Sequence, residues 1–244
     1  MIAAWRAELV KISSVRGLWL CALLAAIAIP GTSLLVAATG GLGSHDTATS
    51  GAAAGSLIGL LAFGAWGATF AAGEYAQRTM VVSLASVPRR AVLYTAKLAA
   101  TATTAAAGAV VAAAVALLTV LAVTPRGKYD LGNPAALIGV VLAVVAVAIC
   151  GAAIGMLTRS PSASIGIVVL ALLLPKAAGG LLGGLQRWVV GASPGTVVTQ
   201  IVGGAQLPAE QAYPHGAWAA AATMVLAAAL VSTAGFVSFL RRDG

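Results

Sequence analysis

The stretch "GLWLCALLAAIAIPGTSLLVAA", Gly17–Ala38, runs for 22 residues without a charge. A helix needs about 20 apolar residues to cross the ~30 Å hydrocarbon core of a bilayer. Pro30 lies inside the run as a candidate kink. The run exceeds the ~7–15 residues of a secretory signal core, so a first membrane span is preferred to a signal peptide. The rest of the chain has the same character. Of 244 residues, 60% are hydrophobic and 8% charged, and the mean hydropathy is +1.00. A water-soluble domain of this length carries far more charge.

Further apolar runs lie at about 52–73, 91–123, 135–157, 163–182 and 216–240. Inside lipid the backbone must satisfy its own polar groups, so such runs form a helix bundle. The short alternating strands of a β-barrel are missing. The expected fold is therefore an all-α membrane protein, a single domain over 1–244 with six transmembrane helices. The third run exceeds what a bilayer requires, so its first turns are expected to project into the cytosol. Pro175 and Lys176 interrupt the fifth. Lys176 either snorkels to the outer interface or lines a cavity. Residues 183–215 are rich in Gly and Pro, with apolar pieces too short to span.

Ahead of the first span, residues 1–15 place Ile2, Trp5, Leu9 and Ile12 on one helical face, with Arg6, Glu8 and Lys11 elsewhere. This predicts an amphipathic helix lying in the membrane interface, carrying Trp5, Glu8 and Lys11. Six spans put both termini on one side. With the N-terminus inside, ten of the 14 basic residues lie inside and four, Arg126, Lys128, Lys176 and Arg187, lie outside. That bias obeys the positive-inside rule, so both termini are expected to be cytoplasmic. The net charge of +8 then reads as an insertion signal rather than a nucleic-acid footprint. Cys21 and Cys150 sit in apolar runs and read as small packing residues. Gly51, Gly55 and Gly59, and Gly151 with Gly155, have the spacing that lets helices approach closely, either within the chain or against another subunit.

Four charged residues, Glu74, Arg78, Arg89 and Arg90, lie in "GEYAQRTMVVSLASVPRR", Gly73–Arg90, the connection between the second and third spans. Tyr75 to Ala85 contain no breaker, so a short helix along the inner face is expected, stopped by Pro88. Arg89, Arg90 and Lys97 are expected to face lipid phosphates or a partner. "EYAQRT" followed by "VPRRAVLYTAKL" resembles the signature of type-2 ATP-binding-cassette exporter permeases. Glu74, Tyr75, Thr79, Pro88, Arg90 and Lys97 occupy the motif positions. The family often has Gly before the Thr, where this chain has Arg78. The resemblance extends to the N-terminal helix and to a broken helical segment before the last span, residues 183–215, which would be extracytoplasmic.

This resemblance implies a permease subunit in the plasma (inner) membrane that pairs with a second permease, identical or homologous. The separate ABC nucleotide-binding subunits would hold ATP and Mg. Residues 74–90 and Lys97, with the N-terminal helix, would receive the ATPase movement. No cofactor, metal or nucleic acid is expected on this chain, and no phosphate loop occurs in it. Apart from Lys176, the spans carry almost no charge and offer Thr101, Thr103, Thr104 and Thr119. Such walls suit an apolar or amphipathic cargo, such as a drug or antibiotic, better than an ion.

Two other readings have less support. "GASPG", Gly191–Gly195, matches a nucleophile elbow on paper, but Pro194 follows the serine and no strand pattern precedes it. It reads as an outer turn capped by Ser193 and Pro194, and His45 and His215 read as solvated loop residues. A non-transporting scaffold or assembly protein is the alternative function.

Overall fold

A computed structural model describes residues 1–125, 127–203 and 207–242. Arg126, used in the charge reading above, lies outside the described residues. All regular structure among the described residues is helical. The helices are α1 (Ile2–Ser14), α2 (Arg16–Ala38), α3 (Ala48–Ala53), α4 (Ser56–Ala76), α5 (Met80–Ser86), α6 (Arg90–Val123), α7 (Ile138–Thr158), α8 (Pro161–Ala177), α9 (Gln186–Val189), α10 (Pro194–Val202) and α11 (Ala217–Arg242).

Among the described residues, five segments are long and apolar enough to cross a membrane: Arg16–Ala38, Ala48–Ala76, Arg90–Val123, Pro134–Thr158 and Ala217–Arg241. The second is wider than expected from sequence and is broken at Ala54–Gly55, where α3 gives way to α4. A reciprocal cap starts α3: the Ser50 backbone N–H donates to Thr47 Oγ1 (3.1 Å) and the Thr47 N–H to Ser50 Oγ (2.9 Å). The fifth apolar run corrects the sequence reading. Its helix passes through Pro175 and Lys176 but ends at Ala177, 17 residues long, because Gly179–Gly180 and Gly183–Gly184 take up short 3-10 turns. Lys176 is exposed and lines a cavity of about 330 Å3 together with Asp46, Ser50 and Ser193.

The helices α4 and α7 form the centre. In each of their segments 61% of the apolar window is buried, against 17%, 28% and 22% for Arg16–Ala38, Arg90–Val123 and Ala217–Arg241. Those three expose long apolar faces, an arrangement that calls for lipid rather than water. Glycine allows the central contact. A Cβ on Gly151 would lie 2.2 Å from the Gly64 carbonyl oxygen, and one on Gly67 2.3 Å from that of Ala148. On the other side of α4, Gly59 accepts Ile29 of α2. The paired glycines therefore serve packing within the chain. Phe63, Trp66 and Phe70 fill the face of α4 beside them, with Trp66 stacked on Phe70 at 5.9 Å.

The N-terminal helix sets Ile12 in the core, with Trp5 and Leu9 packed against it. Its fully buried residues are Glu8 and Ile12, while Trp5 and Leu9 are half-buried and Ile2 is exposed. Glu8 lies on the same side of the helix, so that a carboxylate points inward where α1 packs on α6 and α2. The reason lies in what waits for that carboxylate.

Candidate functional site

Four charged side chains meet where α1, α4 and α6 converge. Glu8 and Lys11 lie one turn apart on α1, Glu74 in the last turn of α4, and Lys97 two turns into α6. Lys97 Nζ donates to Glu8 Oε2 at 2.8 Å and to Glu74 Oε1 at 2.9 Å. Lys11 Nζ donates to Glu8 Oε1 at 2.8 Å and also to Glu74 Oε1. The result is a closed ring of alternating charge, Glu8–Lys11–Glu74–Lys97, with no net charge.

The ring is buried. Lys97 is 0% exposed, Glu8 3% and Glu74 7%. A lone charge at such a place would be very costly, and here each is offset by opposite charge on both sides. The third face of the Lys97 ammonium is covered by Phe70, whose ring centroid is 4.5 Å away. The Trp66–Phe70 stack is itself held by Trp66 Nε1, which donates to the Leu18 carbonyl at 3.1 Å. Lys11 is the outermost member and also reaches Ser83 Oγ of α5 at 3.5 Å. Burial opposes its charge, but hydrogen bonds and attraction from Glu74 and Glu8 outweigh that and hold its ammonium above the ordinary lysine range.

Lys97 thus departs from expectation. It does not face lipid phosphates or a partner but stands at the centre of the ring. The physical cause is the packing of α1 against α6, which brings Glu8 to it. Trp5 Nε1 donates to Thr103 Oγ1 at 3.3 Å, two turns further along α6, and reinforces that seat.

The connection between α4 and α6 stands out from this ring. At the end of α4, the Thr79 N–H donates to the Glu74 carbonyl (2.9 Å) and the Arg78 N–H to that of Tyr75 (3.1 Å). This is the two-bond helix stop that requires a left-handed residue. Arg78 supplies it with φ of 57°. Arginine thus occupies a left-handed position that favours glycine. Arg78→Gly is expected to leave the fold unchanged and to stabilise it by about 1 kcal/mol, read as a rise in thermal unfolding temperature. The short helix expected after Tyr75 begins only at Met80, as α5.

Val87 has left the helical region before Pro88, with φ of −128° and ψ of 84°, and α6 starts at Arg90. Arg78, Thr79, Pro88 and Arg89 are exposed; Tyr75 and Arg90 are half-buried. The Arg159 guanidinium, at the left-handed end of α7, lies 5.3 Å over the Tyr75 ring.

The proposed coupling residues therefore divide. Glu8, Lys11, Glu74 and Lys97 come together in the buried ring, and Arg78, Thr79, Pro88 and Arg89 lie on the surface segment it anchors. Sequence reasoning missed Ser83, Phe70 and Arg159, as well as the pairing itself. The available signal was that Glu74 and Lys97 lie within helical apolar segments and need partners. Elsewhere, Ser193 is buried and donates to the Val190 carbonyl and to Thr196 Oγ1, at 2.7 and 3.0 Å. His215 packs against Trp188 and Tyr213.

A scan against protein-family models finds no match to this chain, and a search of curated proteins finds none either.

Proposed function

We propose that this chain is the membrane permease subunit of an ATP-driven exporter of the type-2 class. In this reading α8, at about 26 Å, is the fifth of six spans. Both termini face the cytoplasm of a bacterial inner membrane. Residues 183–215, with α9 and α10, lie on the outer side. A second permease completes the pathway, and a separate nucleotide-binding subunit supplies ATP hydrolysis with Mg. The cargo is an apolar or amphipathic small molecule.

The observation that carries this reading is the buried ring of Glu8, Lys11, Glu74 and Lys97. It joins the N-terminal helix and the exposed α4–α6 connection to the roots of two long apolar helices. A push on that connection would reach α4 and α6 through charge-assisted hydrogen bonds rather than be absorbed by a loose loop. The surface segment offers a partner Arg78 and Arg89, both exposed.

Purification in mild detergent, followed by identification of bound proteins and an ATPase assay, tests the assignment. A stoichiometric nucleotide-binding subunit is the expected result. Recovery of the chain alone, under conditions that hold a known transporter together, would favour a non-transporting scaffold. In the complex, Arg89→Ala/Arg90→Ala is expected to keep ATP turnover and lower transport at least tenfold. Normal transport in that variant would remove the segment from the coupling role.

A further inference from the structure

The cavity of about 330 Å3 that Lys176 lines lies at the opposite end of α4 from the charged ring. Ser56 and Leu57, where α4 begins, form part of its wall. A helix starts with N–H groups that have no partner inside the helix, and with the positive end of its dipole. A capping side chain usually takes one of those N–H groups, but none fits here. The cap is Gly55, and a Cβ on it would lie 1.9 Å from Thr32 Oγ1 and 2.3 Å from the Ile29 carbonyl oxygen. The close approach of α2 therefore leaves α4 uncapped. The N–H groups of Ser56 and Leu57 find no acceptor among the described residues.

The Ser56 side chain adds an independent donor. Ser56 is 7% exposed, and its hydroxyl has no hydrogen-bond partner among the described residues. That hydroxyl is not sealed inside the protein: it keeps a surface of its own beside the cavity. An unmatched hydroxyl at such a place costs free energy that a bound acceptor would recover. Lys176 of α8 lines the same cavity, exposed and in no ion pair among the described residues. These donors converge on an anion.

Asp46 decides what else the ligand carries. It also lines the cavity, with Oδ2 accepting from the Gly43 N–H at 2.8 Å and Oδ1 from Ser50 Oγ at 3.0 Å. Each of these oxygens can accept once more. A ligand with negative charge alone would meet repulsion from Asp46, and one with positive charge alone would meet it from Lys176 and the start of α4. A ligand with both charges meets neither penalty. Leu57, Leu172 and Leu173 give the cavity an apolar side. Its volume lies within the range of small-molecule sites, and a broken membrane helix whose start points at an anionic group is a recurring device of transporter sites.

We propose that this cavity binds a zwitterion with an apolar body, its phosphate or carboxylate held by Ser56, the first turn of α4 and Lys176, and its ammonium by Asp46. The site stands on its own geometry and does not depend on a motor subunit. A phosphatidylethanolamine lipid and a free apolar amino acid share this chemistry.

The test is photolabelling of the full chain in dodecyl maltoside, an uncharged detergent. The probes are a lysophosphatidylethanolamine with a diazirine on its acyl chain and its N-acetyl derivative, which keeps the phosphate and loses the ammonium. Mass spectrometry locates the adducts. The zwitterionic probe is expected to label segments 46–57 and 172–176, and the N-acetyl probe to label them about tenfold less, the worth of one hydrogen bond to a charged group. Ser56→Ala removes an unmatched hydroxyl, so it is expected to unfold at no lower temperature than the wild type while losing about tenfold in labelling. Lys176→Gln, on the surface, is expected to lose labelling to a similar degree, and Asp46→Asn to bring the two probes level. Competition by phosphatidylethanolamine would identify a lipid ligand, and competition by leucine alone a soluble one. Equal labelling of the wild type by both probes overturns the proposal. Wild-type labelling of both Ser56→Ala and Lys176→Gln, or competition by neither ligand, overturns it equally.

Discussion

Replacing Lys97 by methionine is expected to destabilise the protein by roughly 3–5 kcal/mol, because it strands buried carboxylates without their counter-charge. Lys97 is fully buried and serves both Glu8 and Glu74. Methionine preserves much of the volume and the contact with Phe70, so the loss would be electrostatic rather than steric. The double variant Glu8→Leu/Lys97→Leu removes one acid and one base together and keeps the Lys11–Glu74 pair. It is expected to recover most of the loss, since replacing a whole buried pair by apolar groups is often close to neutral. Thermal unfolding of the purified protein in detergent reads both. If Lys97→Met melts like the wild type, the ring does not hold α1 in place, and the coupling argument loses its support. If the single and double variants lose the same stability, the effect comes from packing at α6 and not from charge.

The second large effect is steric. Gly151→Leu is expected to cost about 3 kcal/mol or more and to abolish recovery of a monodisperse protein. Its Cβ alone would lie 2.2 Å from the Gly64 carbonyl oxygen and 3.1 Å from the Ala68 nitrogen, both backbone atoms that cannot rotate away. The α4 and α7 backbones would have to separate, and they form the centre of the molecule. Gly166→Ala on α8 is the control. A Cβ there meets nothing within 4 Å, so the change should be neutral or stabilising by up to about 1 kcal/mol, from helix propensity. Size-exclusion profiles and unfolding temperatures of the two variants check this. A well-behaved Gly151→Leu protein would mean that α4 and α7 do not pack backbone to backbone.

Much of the architecture was legible in local sequence. The uncharged run Gly17–Ala38 became α2 (Arg16–Ala38), and the long run at 91–123 became α6 (Arg90–Val123). Pro88 marked the break before α6, and glycines at helix-packing spacing marked close approach. These follow from period, length and breaker residues, which act within a few turns of the chain. The end of α8 was less legible, because its apolar run continues in composition past the point where paired glycines turn the backbone.

The sequence by itself determined that the chain is an apolar helical bundle with little charge in its long runs. It also placed Glu8, Lys11, Glu74 and Lys97 among the residues of interest. Only the tertiary structure decided that these four form one ring. Their pairing joins positions 63 and 89 residues apart, and nothing in local periodicity records which helix faces meet. Glu8 shows the reason. It shares a side of α1 with Ile12, which lies in the core with Trp5 and Leu9 packed against it, and only the fold sets a buried ammonium on α6 opposite that carboxylate.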